Sequence, residues 1–459
     1  MSTVCSQTVL QFQPLSGRRV QADFDGGEVT TDGGALLLRE ADLSHSITAR
    51  LAACFDDHRN PARVQHSLLS LLRQRVHGIA LGYADVNDHE ALREDAMFHL
   101  LAGEDELSRP LAGKSTLNRL EVSAAATPDG RYHKIAFNLD RFHGLLRELF
   151  FEAHDDAPHE VTLDLDATDV ELHGNQEHRF FHGFYDAYCY LPLYIFCGDH
   201  LLHAQLRPAN ADAATGSVEA LEPIVAEIRR RWPQCRIIIR ADSGFCREWL
   251  MAWCEEQGVS YILGLARNKR LVGRCGRQME KARRRHLVTG APARVYTSVR
   301  YRTLASWSCR RRVVAKCEYI AGKPNPRFVV TNLLACELGD ADLYERGYCQ
   351  RGDAENRIGE QMELFADRTS CSAFGANQLR LALSATAYAL MVRVRRALRG
   401  SELERARPET IRLRLLKIGA RVLTSARRVV LSLASGHPWA ALVRHCLERL
   451  HKTPPPQAA

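Results

Sequence analysis

The chain has 459 residues, 46% of them hydrophobic and 25% charged, which excludes a small disulfide-stapled module, a collagenous or low-complexity chain and wholesale disorder. The length suggests about three domains, or one large domain with insertions. The longest apolar run, Leu381 to Val392, falls short of the roughly 20 residues that cross a bilayer, so neither a transmembrane helix nor a membrane partner is expected.

The start, Met1 to Pro14, has neither the charged opening nor the continuous apolar stretch of a signal peptide, and a cytoplasmic protein is expected. After this extended start, turns at Gly26-Gly27 and Gly33-Gly34 lead into a helical pattern with Leu36, Leu37, Leu38 and Ala41. A second helix is predicted from Pro61, suited to a first helical position, to Tyr83, with Leu68, Leu71, Leu72, Val76 and Ile79 at helical spacing. Further helices are expected over 90–101 and 116–122. Residues 1–130 therefore read as a mainly helical domain, closed by the small-residue linker Ala124 to Gly130.

The texture changes at Val161. Val161 to Ala167 alternates aliphatic and acidic residues, a strand with acids on one face. Residues 180–196 and 201–206 are further strand candidates, 218–232 an amphipathic helix, 236–240 a short buried strand, 247–256 a helix and 261–265 another strand. Strands followed by alternating helix and strand imply a mixed sheet with helices packed on it, an α/β core over 155–400. Residues 267–326 interrupt it, with strand alternation over 294–302 and 311–319, and read as a basic, β-rich insertion. Residues 327–333 return to an apolar strand, 340–365 to a long helix and 378–398 to another. The last segment, 401–459, reads as a basic region with strands over 411–416 and 429–433 and a frayed tail around Pro454, Pro455 and Pro456.

The fourteen cysteines are scattered and form no Cys-x-x-Cys pair, so in a reducing compartment they read as small buried hydrophobes. The cluster His173, His178, His182, Cys189 and Cys197 fits no standard zinc spacing, and its histidines beside Phe180, Phe181 and Phe184 read as strand or hairpin side chains. Gly113-Lys114-Ser115 resembles the end of a phosphate-binding loop, but Ser108 stands where that loop needs glycine and no strand precedes it, so no nucleotide cofactor is expected. Lys114 remains free to meet a phosphate at a helix start.

The net charge of +8 is unevenly spread. Arg267 to Lys316 carries sixteen Lys or Arg against Glu280 alone, and Arg393 to Arg428 carries twelve against Glu402, Glu404 and Glu409, which leaves the remainder at −16. Basic surfaces with carboxylates concentrated elsewhere suit a polyanion-binding protein. The triplets Arg283, Arg284, Arg285 and Arg310, Arg311, Arg312 are the candidate phosphate contacts. Arg73, Arg75 and Arg119, on short helices of the first region, are candidates for reading base edges.

Among the acids, Asp164 and Asp166 project from one face of a strand, and Asp242 stands where the strand 236–240 meets a turn, the end at which α/β sheets hold ligands. Tyr348, Arg351 and Glu355, three and four apart, share one helical face. Two strand acids and one helix acid offer hard oxygen ligands for Mg²⁺ or Mn²⁺, suited to phosphodiester chemistry. For any one of these acids alone, a cap at Asp242 or an ion pair between Glu355 and Arg351 is the better account.

Taken together, Asp166-Ala167-Thr168, Arg240 to Phe245 and Tyr348-x2-Arg351-x3-Glu355 resemble the three signature regions of bacterial insertion-sequence transposases of the DDE type, in the group with a Tyr-x2-Arg-x3-Glu motif. Phe24 to Gly27, Arg73 to Arg75, Gly113 to Glu121, Phe181 to Phe196 and Leu364 to Arg368 are similar to the same family, so the resemblance runs through most of the chain. It implies an RNase H-like catalytic core, with Asp166, Asp242 and Glu355 as the metal-binding triad and Asp164 as second choice for the first acid. Asp166 would bridge two ions while Asp242 and Glu355 each hold one, and Tyr348 and Arg351 would position the scissile phosphate. The resemblance also implies double-stranded DNA as partner, both the terminal inverted repeats and the target, a homodimer on that DNA and a location at the bacterial nucleoid. Met362 stands where many relatives have a DNA-contacting lysine. A non-catalytic DNA-binding protein and a hydrolytic nuclease on the same core are the alternatives. The intact triad argues against the first, because acids repel DNA.

Overall fold

The computed structural model describes residues 9–104, 109–123 and 134–452; the expected linker 124–130 and the prolines of the tail lie outside them. Two compact units result, one drawn from the stretches Met1–Ala49, Pro61–Asn118 and Arg393–Ala459, the other from Arg50–Asn60 and Arg119–Val392.

The second unit is built on one eight-stranded mixed sheet. Its strands are β1 (Glu160–Ala167), β2 (Leu193–Cys197), β3 (His200–Gln205), β4 (Arg236–Ala241), β5 (Ser260–Leu265), β6 (Ala293–Tyr301), β7 (Arg311–Ile320) and β8 (Lys323–Thr331), in the order β3-β2-β1-β4-β5-β8-β7-β6. β1, β2 and β3 pair antiparallel, β4 and β5 run parallel to β1 on its other side, and β8, β7 and β6 continue antiparallel. The alternation of β1 decides its two faces. Val161, Leu163 and Leu165 join a large apolar core with Ile237 and Ile239 of β4 and Leu263 of β5. Over that core lie helices α1 (Leu139–Phe151), α2 (Ser217–Arg231) and α3 (Glu248–Glu256), which supply Phe150, Leu221, Ile224, Ile228, Leu250 and Met251. Each such burial contributes roughly 1.5–3 kcal/mol.

The opposite face carries Ile238, Ile262, Val314 and Val329, and Leu343 and Tyr344 pack on them. These two residues open a helical run that changes pitch along its length. Asp340–Asp342 is α-helical, Leu343–Tyr348 widens to a π-helix, Cys349–Arg351 tightens to a 3₁₀ turn, and α5 (Gly352–Met362) follows; α4 (Gly276–Thr289) lies earlier in the chain. The uniform helix expected over 340–365 is thus replaced by a run with a pitch change, a device frequent at functional sites.

The segment 267–326 is β-rich only in its second half. Its first half forms a short helix, Lys269–Arg274, and α4, because Ala282 seats one face of an otherwise exposed basic stretch. The strands β6, β7 and β8 pair onto β5 and extend the main sheet instead of standing apart from it.

In the first unit the helices Leu36–His45, Leu68–Leu81 and Ala96–Ala102 are joined by two small sheets. Strand Val29–Thr30 pairs with Ala420–Ser425, which forms a hairpin with Arg428–Leu433, so residues from the first region and the last share one unit. The strand expected over 411–416 is helical instead, with Pro408–Ile411 leading into a π turn, Arg412–Leu416. The reason is that Ile411, Leu415 and Leu416 are buried while Leu413 is exposed, which is one helical face and no strand alternation. Gly34 lies so close to this turn that a Cβ would come within 1.8 Å of the Leu415 carbonyl oxygen.

Arg75 in this unit is fully buried and donates to His89 Nε2 at 3.1 Å and to the Ala84 carbonyl, while Arg73 sits against Asp42 and Thr48. Both guanidinium groups therefore hold helices together and are not presented to a DNA groove. Only Arg119 of the three candidates is exposed. Among the described residues no helix is long and apolar enough to cross a membrane.

Candidate active site

Asp166 and Asp242 meet because their strands are parallel neighbours in register. The pair Leu165–Ala241 ends the β1–β4 ladder, and Asp166 and Asp242 stand one residue beyond it, at the carboxyl ends of both strands. Asp242 leaves β4 into a 3₁₀ turn, where its Oδ1 accepts from the Gly244 amide at 2.8 Å. It is thus a cap, as its surroundings in the sequence also allow, and at the same time a carboxylate beside Asp166.

The third acid arrives with the helical run. Leu343 and Tyr344 seat it on the sheet, and the Gly347 carbonyl accepts from Arg240 Nη1 at 2.7 Å. Arg351 then donates from Nη1 to Asp166 Oδ2 at 3.2 Å and from Nη2 to Glu355 Oε1. One guanidinium group bridges the first and third acids. Glu355 lies mostly open to solvent and Asp166 mostly does not.

The electrostatics follow from this crowding. Burial pushes the Asp166 carboxyl up to about 6; the charge of Arg351 opposes the rise, and those of Asp242 and Glu355 add to it. Burial also raises the Tyr348 hydroxyl, again with Arg351 opposing and Asp242 reinforcing. Tyr185, whose hydroxyl is raised first by burial, also feels the charges of Asp169, Asp166 and Asp242. Among the described residues no three His, Cys, Asp or Glu side chains form a ready cage for a metal ion. The reason is visible in the geometry: Arg351 occupies the space between Asp166 and Glu355.

Asp164, the second choice for the first acid, shares the face of Asp166 but is committed elsewhere. Its carboxylate is buried and takes two hydrogen bonds from Arg240. Gly264 of β5 had no signal in the sequence beyond being a glycine in an apolar strand, a common mark of close approach. A Cβ there would lie 2.5 Å from the Tyr348 hydroxyl and 2.8 Å from the Ser243 amide nitrogen, so only glycine leaves room for the Asp242 turn and Tyr348 together. Tyr185 was equally unmarked, except as part of the stretch Phe181 to Phe196.

The remaining candidates are distributed elsewhere. Lys114 is exposed at the start of helix Lys114–Ser123, where its backbone amide is taken by Glu90 at 2.7 Å. Arg283, Arg284 and Arg285 are exposed on α4, the first two paired with Glu280. Arg310 is exposed too, but the expectation that Arg311 and Arg312 lie along DNA is corrected. The Arg311 side chain is 2% exposed and bonds Glu248 and Glu255 of α3, each at 2.6 Å. Arg312 is buried against Asp340 at 2.7 Å and the Leu333 carbonyl. Both fasten β7 to its neighbours. Among the described residues the cysteines are free thiols; of the histidine cluster only His182 and Cys189 lie on the hairpin Phe180–His182 with Ala187–Tyr190, while His173 and His178 precede it and Cys197 ends β2.

No curated protein matches the sequence. Among solved structures the chain is similar to a piggyBac transposase, determined by cryo-EM in a synaptic complex with hairpin DNA, with a TM-score of 0.41 at 12% identity over 94% of this chain and 86% of that one. Residues 12–455 match the family described as transposase DDE domain group 1. With a match of that extent, the chain belongs to the DDE transposase family, group 1.

Proposed function

We propose that this protein is a DNA transposase that binds the terminal inverted repeats of its own insertion sequence, cuts the strands there and joins the freed 3′-hydroxyls to target DNA. The observation that carries the reading is the meeting of three acids from separate parts of the chain: Arg351 bridges Asp166 and Glu355, and Asp242 stands beside Asp166 where their paired strands end. The core is RNase H-like on this reading, supported by the strand order β3-β2-β1-β4-β5, with the first two acids on the adjacent central strands β1 and β4.

The residues fit a divalent cation. Three carboxylates are hard oxygen donors of the kind Mg²⁺ and Mn²⁺ take, and the Asp166 carboxyl, raised mainly by burial and further by Asp242 and Glu355, is one whose charged form a cation would favour. Asp166, Asp242 and Glu355 would hold it, as a pair of ions on the two-metal scheme. Bound there, such ions lower the pKa of a nucleophilic water and stabilise charge on the transferring phosphate.

The protein's own groups do the rest. Arg351 without DNA neutralises two acids; a scissile phosphate competes for its guanidinium through a bidentate, charge-assisted contact and so frees the carboxylates. Tyr348, fixed between Gly264 and Arg351, offers a hydroxyl to the same phosphate. Lys114, Arg283, Arg284, Arg285 and Arg310 hold phosphates of the flanking duplex, which position DNA without reading it. Two copies of the chain act together on the paired ends.

The test is to incubate the purified protein with DNA carrying the element ends and with Mg²⁺, then to map the products. Strand cuts at the ends followed by joined products support the reading. Cuts without joining indicate a nuclease, and binding without cuts a regulator.

A further inference from the structure

Between β1, which carries the first acid, and β2, the chain makes an excursion that nothing in the cutting scheme uses. The short strand Val170–Glu171 follows β1 directly after Asp166 to Asp169, and pairs with Tyr190 and Cys189. Phe180–His182 pairs with Ala187–Tyr190, and the chain then enters β2, whose Leu193 and Tyr194 pair with Ala167 and Asp166. The hairpin is therefore rooted at Asp166 on both sides.

Its surface is unusual. Phe184 is 85% exposed and Phe181 53%, with Phe180 and Tyr188 also exposed. Trp249, Phe12 and Phe24 are the other exposed large aromatics among the described residues, so more than half of them sit on this one hairpin. Phe181 meets Tyr188 edge to face, Phe184 meets Tyr185 likewise, and the Arg179 guanidinium lies 4.1 Å over the Tyr188 ring. Residues 180–190 contain no Leu, Ile, Val or Met. Its two ends leave the sheet beside the first acid, since Tyr194 pairs with Asp166 and Leu193 with Ala167.

We infer that the hairpin Phe180–Tyr190 is a stacking platform for unpaired nucleobases of the strand being cut. The inference rests on the DNA-cutting reading of the site. Aromatic faces with an adjacent guanidinium suit nucleobases, because every base presents a π-face and Arg adds a cation–π contact. Protein interfaces are likewise rich in aromatic residues and Arg, so composition alone does not name the occupant. The location selects the occupant: a phosphodiester held at Asp166 brings its neighbouring bases to the root of the hairpin.

The test uses the full chain carrying Glu355→Gln, without metal, and two probes: a fully paired 20-base-pair duplex and the same duplex with three unpaired thymines at one end. Fluorescence anisotropy gives affinity, and 2-aminopurine within the unpaired stretch reports stacking. The expected result is tighter binding and quenched 2-aminopurine for the probe with unpaired bases. Phe181→Ala and Phe184→Ala should each cut that preference about 5-fold or more, the lower end of what a stacked base contributes, with affinity for the paired duplex unchanged. Phe184→Trp should retain it. Variants that keep the preference, or weaken both probes equally, overturn the platform. So does a change of sedimentation in the variants without a change of preference, which assigns the face to a second copy. Equal binding of both probes by the unsubstituted hairpin removes the platform alone, whereas binding of neither removes the DNA reading beneath it.

Discussion

Arg240 and Asp164 stand opposite each other on paired strands and are joined by two hydrogen bonds, of 2.5 and 2.8 Å. Arg240 reaches on to the Gly347 carbonyl and so ties the sheet to the run that carries Tyr348, Arg351 and Glu355. Two acids two residues apart thus have different employment: Asp164 is bound into the scaffold, and Asp166 stands beside the other acids.

Substitution should separate them. Asp164→Ala leaves a buried guanidinium without its carboxylate and should lower stability by about 3–5 kcal/mol. Asp166→Asn removes a carboxylate whose charged form is disfavoured by burial, so melting should be unchanged or higher while cleavage is lost. Thermal melts alongside a cleavage assay check both, and a stable, inactive Asp164→Ala would exchange the roles.

Gly264→Ala should cost about 1–3 kcal/mol through overpacking and reduce cleavage more than that loss of stability explains. The added methyl meets the Tyr348 hydroxyl and the turn after Asp242 at once. In the Gly264→Ala background, Tyr348→Phe should recover part of the stability and none of the activity, as read by denaturant titration and nicking rate.

The two arginine triplets should behave oppositely. Replacing Arg283, Arg284 and Arg285 by Gln should leave stability intact and flatten the salt dependence of DNA binding by up to about three units of slope. Arg311→Met should instead destabilise the fold. Burial acts to raise the carboxyls of Glu248 and Glu255, but hydrogen bonds from Arg311 outweigh it and hold both below their ordinary range. Their contribution is therefore complete above pH about 4.5 and is lost as pH falls through the lowered folded values. Arg311→Met should lose that acid dependence, measured as melting temperature against pH.

His89 gives a second acid limb. Burial, with Arg75 adding, depresses its imidazole to about 3, so the folded ring stays neutral and accepts the Arg75 hydrogen bond. The unfolded chain takes up the proton near pH 6.5, and stability should fall as pH drops from there toward 3. His89→Gln should flatten that stretch of the profile, and Arg75→Lys should lower stability by about 1.5–3 kcal/mol.

Local patterns carried the sheet and its helices well. The alternation of Val161 to Ala167, the apolar stretch at Ile237 to Ile239 and the spacing of Leu221, Ile224 and Ile228 each appear as the element expected. What escaped was settled by partners distant in the chain. Arg311 and Arg312 read as surface because Glu248, Glu255 and Asp340, which bury them, lie far away in sequence. Ile411 to Leu416 alternates like a strand, yet the buried side chains choose a helical face. The bridging by Arg351 and the need for glycine at 264 belong to the same class, since both depend on elements that meet only in the folded unit.

The seating of Leu343 and Tyr344 on Val314 and Val329 bears on how this chain could be shortened. Those valines belong to β7 and β8, from the stretch that separates the second acid from the third. Trimming that stretch would strip β5 of its neighbour and remove the floor beneath Glu355. A compact version would have to be engineered from the ends of the chain inward.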